Sequence, residues 1–265
     1  MSVPLIDDPR FPNGSSDALD PFGFPVGQAQ RREQMLRAAC TVTLEGTPAT
    51  LSRTAASIPI RVAVTNVGAG HRVPSGFSQE RQVWLHLVVR DGAGVIYESG
   101  QLVDRAHPET GELAPDGRLD DEDLEDHRRA IDLHDWSVVT ATGADWNQRP
   151  GKNLGLVSFQ NAFLERGPGG VLRDIVNPLA ADGIDNDRSL VPGVARRIRY
   201  DVPWPSRAIQ GALKVDVRLR FRTFPPDLMR TLALRYPELV QEETLDRNPI
   251  VDMAEASGEI AVTDP

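Results

Sequence analysis

One histidine in this chain sits where its side chain would be held in a fixed pose. His71 lies in the run Asn66-Val67-Gly68-Ala69-Gly70-His71-Arg72-Val73-Pro74-Ser75-Gly76. Gly68, Gly70 and Gly76 allow backbone angles closed to other residues, and Pro74 fixes its own φ and restricts Val73 before it. An imidazole offered from such a loop can act as a ligand; in the plainer account it hydrogen-bonds within the loop and steadies it.

A second group of candidates is carboxylate. Asp182-Gly183-Ile184-Asp185-Asn186-Asp187 gathers three carboxylates and an amide around a glycine turn, and Asp182, Asp185 and Asp187 can converge on one Ca²⁺. The competing account is that Asp and Asn bond their own backbone in the turn. Asp120-Asp121-Glu122-Asp123-Leu124-Glu125-Asp126 is a dense anionic run without the EF-hand spacing, and it reads as a solvated loop. His127 and His134, seven apart among carboxylates, have a spacing too generic to define a zinc site. His86, beside Trp84 on the outward face of its strand, reads as a structural group or part of a binding surface.

Hydrolase and nucleotide chemistry find no support. The chain has no Gly-x-Ser-x-Gly elbow, no His-Glu-x-x-His, no phosphate-binding Gly-x-x-x-x-Gly-Lys-Ser/Thr loop and no dinucleotide fingerprint between a strand and a helix.

The elements that must position these groups are strands. Ile60, Val62 and Val64 alternate with Arg61, Ala63 and Thr65 before the His71 loop, and Val83, Leu85, Leu87 and Val89 repeat the period after it. The clearest strand is Ala212 to Phe221, with Leu213, Val215, Val217, Leu219 and Phe221 on one face and Lys214, Asp216, Arg218 and Arg220 on the other. Cys40 to Leu44, Asp135 to Gly143, Gly155 to Phe163 and Val194 to Val202 are further strands, and Glu259 to Thr263 a final edge strand. Helix spacing is confined to Gln28–Ala39 and to a short stretch from Asp227 to Tyr236. Trp204, between Pro203 and Pro205, plugs one end of the core. Short alternating strands parted by Gly, Pro and Asp, without regularly interleaved helices, predict an all-β fold: a two-sheet antiparallel β-sandwich of the immunoglobulin-like kind with few, peripheral helices. Residues 1–27, rich in proline and glycine, read as an extended arm or linker. Residues 28–265 then form one domain, with a polar insertion at about 100–135 and a short helical appendage at about 227–236.

Composition sets the outer bounds. A formal charge of −9 and no concentrated basic stretch argue against a nucleic-acid partner. No run approaches the roughly 20 apolar residues of a transmembrane helix. Cys40 is the single cysteine, which excludes an internal disulfide and the Cys-x-x-Cys-His attachment of haem c, so any haem must be covalently held elsewhere. The first residues lack a basic segment followed by an apolar one, the pattern of a secretory signal.

The run from Asn66 to Gly76, followed by Arg81-x-x-Trp84-Leu85 and by Asp91 to Gly100, resembles the β-sandwich domain found C-terminal to the haem-binding part of bacterial multihaem cytochromes c. Phe159-Gln160-Asn161, Ile184-Asp185-Asn186-Asp187, Tyr200-Asp201-Val202-Pro203 and Leu219 to Pro226 follow in the order of that family, so the resemblance spans residues 28 to 255. It implies a non-catalytic subunit or domain of an electron-transfer assembly, packing on a multihaem c-type cytochrome in the periplasm or outside the cell. It also implies that His71 can serve as an axial ligand to a partner's haem, since a neutral imidazole binds haem iron well. The alternative is a free-standing immunoglobulin-like binding or adhesion module whose loops hold Ca²⁺ or a glycan.

Overall fold

In chain order the elements are α1 (Gln28–Ala39), β1 (Cys40–Leu44), β2 (Thr50–Ser52), β3 (Ile58–Asn66), β4 (Gln82–Asp91), β5 (Gly94–Ser99), β6 (Leu102–Ala106) and β7 (Leu113–Leu119). They continue as β8 (Val138–Thr140), β9 (Phe163–Arg166), β10 (Leu172–Ile175), β11 (Gly183–Ile184), β12 (Ala195–Val202), β13 (Leu213–Arg222) and β14 (Val251–Thr263). The computed structural model describes residues 28–76, 78, 81–106, 113–119, 138–140, 156–159, 161, 163–170, 172–175, 181–184, 189–224, 235–237 and 249–264. The expected arm at 1–27, the acidic run 120–126, and His107, His127 and His134 lie outside the described residues, as does most of the expected appendage at 227–236.

The architecture is all-β, with two principal sheets. One has the order β1-β3-β12-β8 and the other β2-β14-β13-β4-β5, accompanied by a small sheet β10-β9-β11 and a hairpin β6-β7. The sheets are mixed, which corrects the expectation of a wholly antiparallel arrangement: β12 pairs parallel with β8, and β14 parallel with β2. Both parallel partners are three-residue edge strands distant in sequence from their neighbours, so no tight turn dictates their direction.

Alternation predicts the buried face of the long strands well. In β13, Leu213, Val215, Val217, Leu219 and Phe221 are buried, and in β3 so are Ile58, Ile60, Val62 and Val64. These join residues of β4, β12 and β14 in one apolar cluster to which both principal sheets contribute. On β14 the inward positions from Ala254 to Gly258 are small, and β1 comes close enough that a Cβ on Gly258 would lie 2.8 Å from Leu44 Cδ1.

Two expectations are revised. The strand expected at Glu259 to Thr263 begins at Val251 and is not an edge, because it lies between β2 and β13. The start of the polar insertion after Gly100 holds the hairpin β6-β7. Of the strand expected from Gly155 to Phe163, the described residues form an antiparallel bridge at Ser158, and regular pairing starts at Phe163. That bridge has a purpose in the fold: Leu85 N donates to Val157 O at 3.0 Å and Phe159 N to Val83 O at 2.8 Å, closing the part of β4 that β5 leaves uncovered. Trp204 packs against the core as expected, with its Nε1 donating to Ala55 O at 2.7 Å and the Arg53 guanidinium 4.8 Å over its ring.

Candidate functional site

The loop between β3 and β4 carries His71, and it is built from backbone contacts to two distant segments. At its start, Val67 N and Gly68 N both donate to Ala39 O, at 2.9 and 3.1 Å, the last carbonyl of α1 and one of the acceptors that a helix end leaves open. This brings Gly68 so close to the helix that a Cβ there would lie 2.1 Å from Ala38 O. Close approach, not an unusual backbone angle, is therefore what Gly68 supplies, whereas Gly70 is the residue with a positive φ, +70°. At its far side, Val73 N donates to Leu190 O at 3.1 Å and Leu190 N returns a bond to Val73 O at 2.7 Å. The Val73–Pro74 peptide is cis.

Asn66 locks the two sides together. Its side chain is buried; Nδ2 donates to His71 O at 2.6 Å and to Leu190 O at 3.0 Å, and Oδ1 accepts from Ala69 N at 3.2 Å. Both amide protons are thus used to hold the backbone of His71 against the segment before β12. Asn161 does the same for the end of the loop: its Oδ1 accepts from Ser189 N and its Nδ2 donates to Ser78 Oγ, each at 3.3 Å. Neither amide stood out in the sequence as a positioning residue, although Asn66 opens the loop motif and Asn161 closes Phe159-Gln160-Asn161.

His71 itself is exposed. Its Nδ1 lies 2.8 Å from Arg72 O, and since a carbonyl oxygen only accepts, Nδ1 carries the proton. The tautomer so fixed leaves the lone pair on Nε2, the arrangement by which metal-binding histidines are oriented through a backbone carbonyl. Cys40, which pairs in register with Asn66, is buried beneath the loop, and burial pushes its thiol up to about 12, so it offers no thiolate there.

Among the described residues, no other candidate forms a metal-holding group with His71. Asp182 is exposed and its Oδ2 accepts from Arg166 N at 2.6 Å, fastening β11 to the end of β9; Asp185 and Asp187 lie outside the described residues. Among the described residues no group of three or more His, Cys, Asp or Glu is placed to hold a metal. His86 is bonded through Nε2 to Glu98 Oε1 at 2.8 Å, and burial holds its pKa below the usual histidine range. Trp84 beside it is wholly buried, covered by Leu156 with Leu102 and Ile250, and its Nε1 donates to Gly100 O at 3.0 Å. No helix among the described residues is long and apolar enough to cross a membrane.

No family model matches the chain, and no curated protein does. Among solved structures, a penta-heme cytochrome c552 from Thermochromatium tepidum is similar to it at 15% sequence identity and a TM-score of 0.44. The match covers 86% of this chain and 41% of that one, so the chain spans less than half the length of the cytochrome it resembles.

Proposed function

We propose that this chain is a non-catalytic, immunoglobulin-like β-sandwich that serves a multihaem c-type cytochrome assembly in the periplasm or outside the cell, and that His71 is offered through Nε2 as an axial ligand to a haem of the partner. The observation that carries this reading is the fixed tautomer: Nδ1 donates to Arg72 O while the backbone of His71 is clamped by Asn66. A histidine that only braced its loop would not need its own backbone held so firmly from outside. The ordered series of motifs from Asn66 to Pro226 supports the choice of partner. With one cysteine the chain attaches no c-type haem itself, so the isolated protein is expected to be colourless.

The test is His71→Ala in the chain assembled with its cytochrome. The expected result is a folded complex in which one haem changes its absorption spectrum and reduction potential. An assembled mutant complex with both unchanged refutes the ligand role.

A further inference from the structure

Arg81 opens the Arg81-x-x-Trp84-Leu85 motif, and the functional reading above makes no use of it. Its side chain is partly buried, yet among the described residues it makes no hydrogen bond and no ion pair. Other arginines that are partly or wholly buried are bonded. Arg53 donates to Pro205 O and Arg207 O at 3.4 and 3.1 Å, and Arg207 holds Asp91 through two bonds. Arg220 Nε donates to Asp252 Oδ1 at 3.0 Å, and Arg222 Nε to Gln82 Oε1 at 2.8 Å. Taking a guanidinium partly out of water without an acceptor costs free energy, so beside these four Arg81 is the exception that needs a reason.

Its electrostatic setting is simple. Burial lowers its pKa from the usual arginine value, and no neighbouring charge contributes. One side of the guanidinium is taken up by the end of the His71 loop. A Cβ built on Gly76 would lie 3.7 Å from Nη2, 3.8 Å from Cζ and 4.0 Å from Nη1, so three atoms of the group meet Gly76 at nearly equal distances. The backbone that carries Arg81 is fixed on both sides. Before it, Ser78 N donates to Gly76 O at 2.8 Å and Ser78 Oγ accepts from Asn161 Nδ2 at 3.3 Å. After it, Gln82 begins β4 and pairs with Arg222 of β13.

A flat cation on a pinned chain, covered on one side and uncompensated, suits a planar anion of single charge that approaches along its edge. A carboxylate is such an anion: it accepts two parallel N–H bonds from a guanidinium, and its charge cancels that of Arg81. A phosphate dianion would leave an excess charge in a partly buried place.

We propose that Arg81 is the receptor for a carboxylate group brought by a ligand, either a small organic acid or an acidic side chain of a partner protein. The site does not depend on His71 binding iron.

The experiment treats the full chain with phenylglyoxal, which modifies accessible arginines, and locates the adducts by mass spectrometry. In sodium chloride Arg81 is expected to react. Sodium propionate at the same ionic strength should slow modification of Arg81 by about threefold or more, and leave that of the exposed Arg61 unchanged. Sodium phosphate should protect less than propionate; equal or better protection by phosphate overturns the choice of a carboxylate. The capped peptide acetyl-Gly-Asp-Gly-amide separates the two sources. Protection by the peptide at a lower concentration than propionate assigns the carboxylate to a protein chain, and otherwise it belongs to a small acid. Chemical denaturation is the second measurement. Propionate should raise the wild-type midpoint above that in chloride, because it binds the folded state, and should not raise that of Arg81→Met. The site is overturned by an Arg81 that does not react in chloride or reacts as fast in propionate. A rise in midpoint that persists in Arg81→Met overturns it as well.

Discussion

The side-chain amide of Asn66 and the backbone carbonyl of Leu190 stand 124 residues apart in the chain and are joined by a buried hydrogen bond of 3.0 Å. Through the same amide nitrogen Asn66 holds His71 O, so the pose of the exposed imidazole depends on a contact to the segment before β12. Asn66→Ala leaves the Ala69 N–H and the His71 carbonyl without these partners. We expect a loss of about 2–3 kcal/mol in chemical denaturation. The spectral effect of His71→Ala in the assembled complex should appear in part in Asn66→Ala as well, and that is the measurement that separates a positioning residue from a stabilising one.

Gly68 and Gly70 are two residues apart and should respond differently to a methyl group. A Cβ on Gly68 meets Ala38 O at 2.1 Å, and a helix backbone cannot swing aside as a flexible side chain would. Gly68→Ala is expected to cost about 3 kcal/mol. Gly70 has open space around its Cβ position and only a positive φ to resist the change, so Gly70→Ala should cost about 1 kcal/mol. Equal unfolding midpoints for the two variants would contradict the close packing of loop on helix.

Asp91 ties the β4–β5 turn to the segment before β13. Its fully buried carboxylate accepts from Arg207 Nη1 and Nη2 at 2.6 and 2.8 Å, from Gln210 N at 2.9 Å and from Ala93 N at 2.9 Å. The Arg207 bonds above all, with the two backbone donors, hold its pKa well below the usual carboxylate range. Because the folded state binds this proton less readily than the unfolded chain, the contribution is complete above the unfolded value of about 3.9 and is lost as pH falls below it. Denaturation midpoints measured from pH 6 to pH 2.5 should fall steeply in wild type. In Asp91→Asn they should start lower and fall less over the same interval.

Cys40 provides a clock for opening of the loop. With its thiol buried and pushed up to about 12, it should react with a maleimide at pH 8 only when the structure around it opens. Labelling is expected to be slow in wild type and faster in Asn66→Ala, whose clamp lies directly opposite Cys40 in the β1–β3 pairing.

Local pattern made much of this molecule readable. The helix at Gln28–Ala39 and the inward faces of β3 and β13 follow from spacing alone, because side-chain direction repeats every 3.6 residues in a helix and every two in a strand. The count of one cysteine by itself removes covalent haem from this chain. The placement of His71 in a glycine and proline loop was likewise legible, since glycine admits turn angles closed to other residues and proline fixes its own φ wherever they stand.

What pattern could not reveal was decided by partners distant in the chain. β14 escaped notice over most of its length because the β13 pairing shifts register between Leu219 and Arg220, so that Val251 and Met253 face inward first and Ala254, Ala256 and Ile260 afterwards. A bulge adds one residue and moves every later side chain to the other phase, which breaks the alternation a reader follows. Trp84 was placed outward by period, yet it is buried because Leu156, Leu102 and Ile250 cover that face of β4. The clamp of Asn66 on Leu190 is of the same kind. A short polar side chain can bond its own turn or a remote carbonyl with equal chemistry, and only the packing of β3 beside β12 brings Leu190 within its reach.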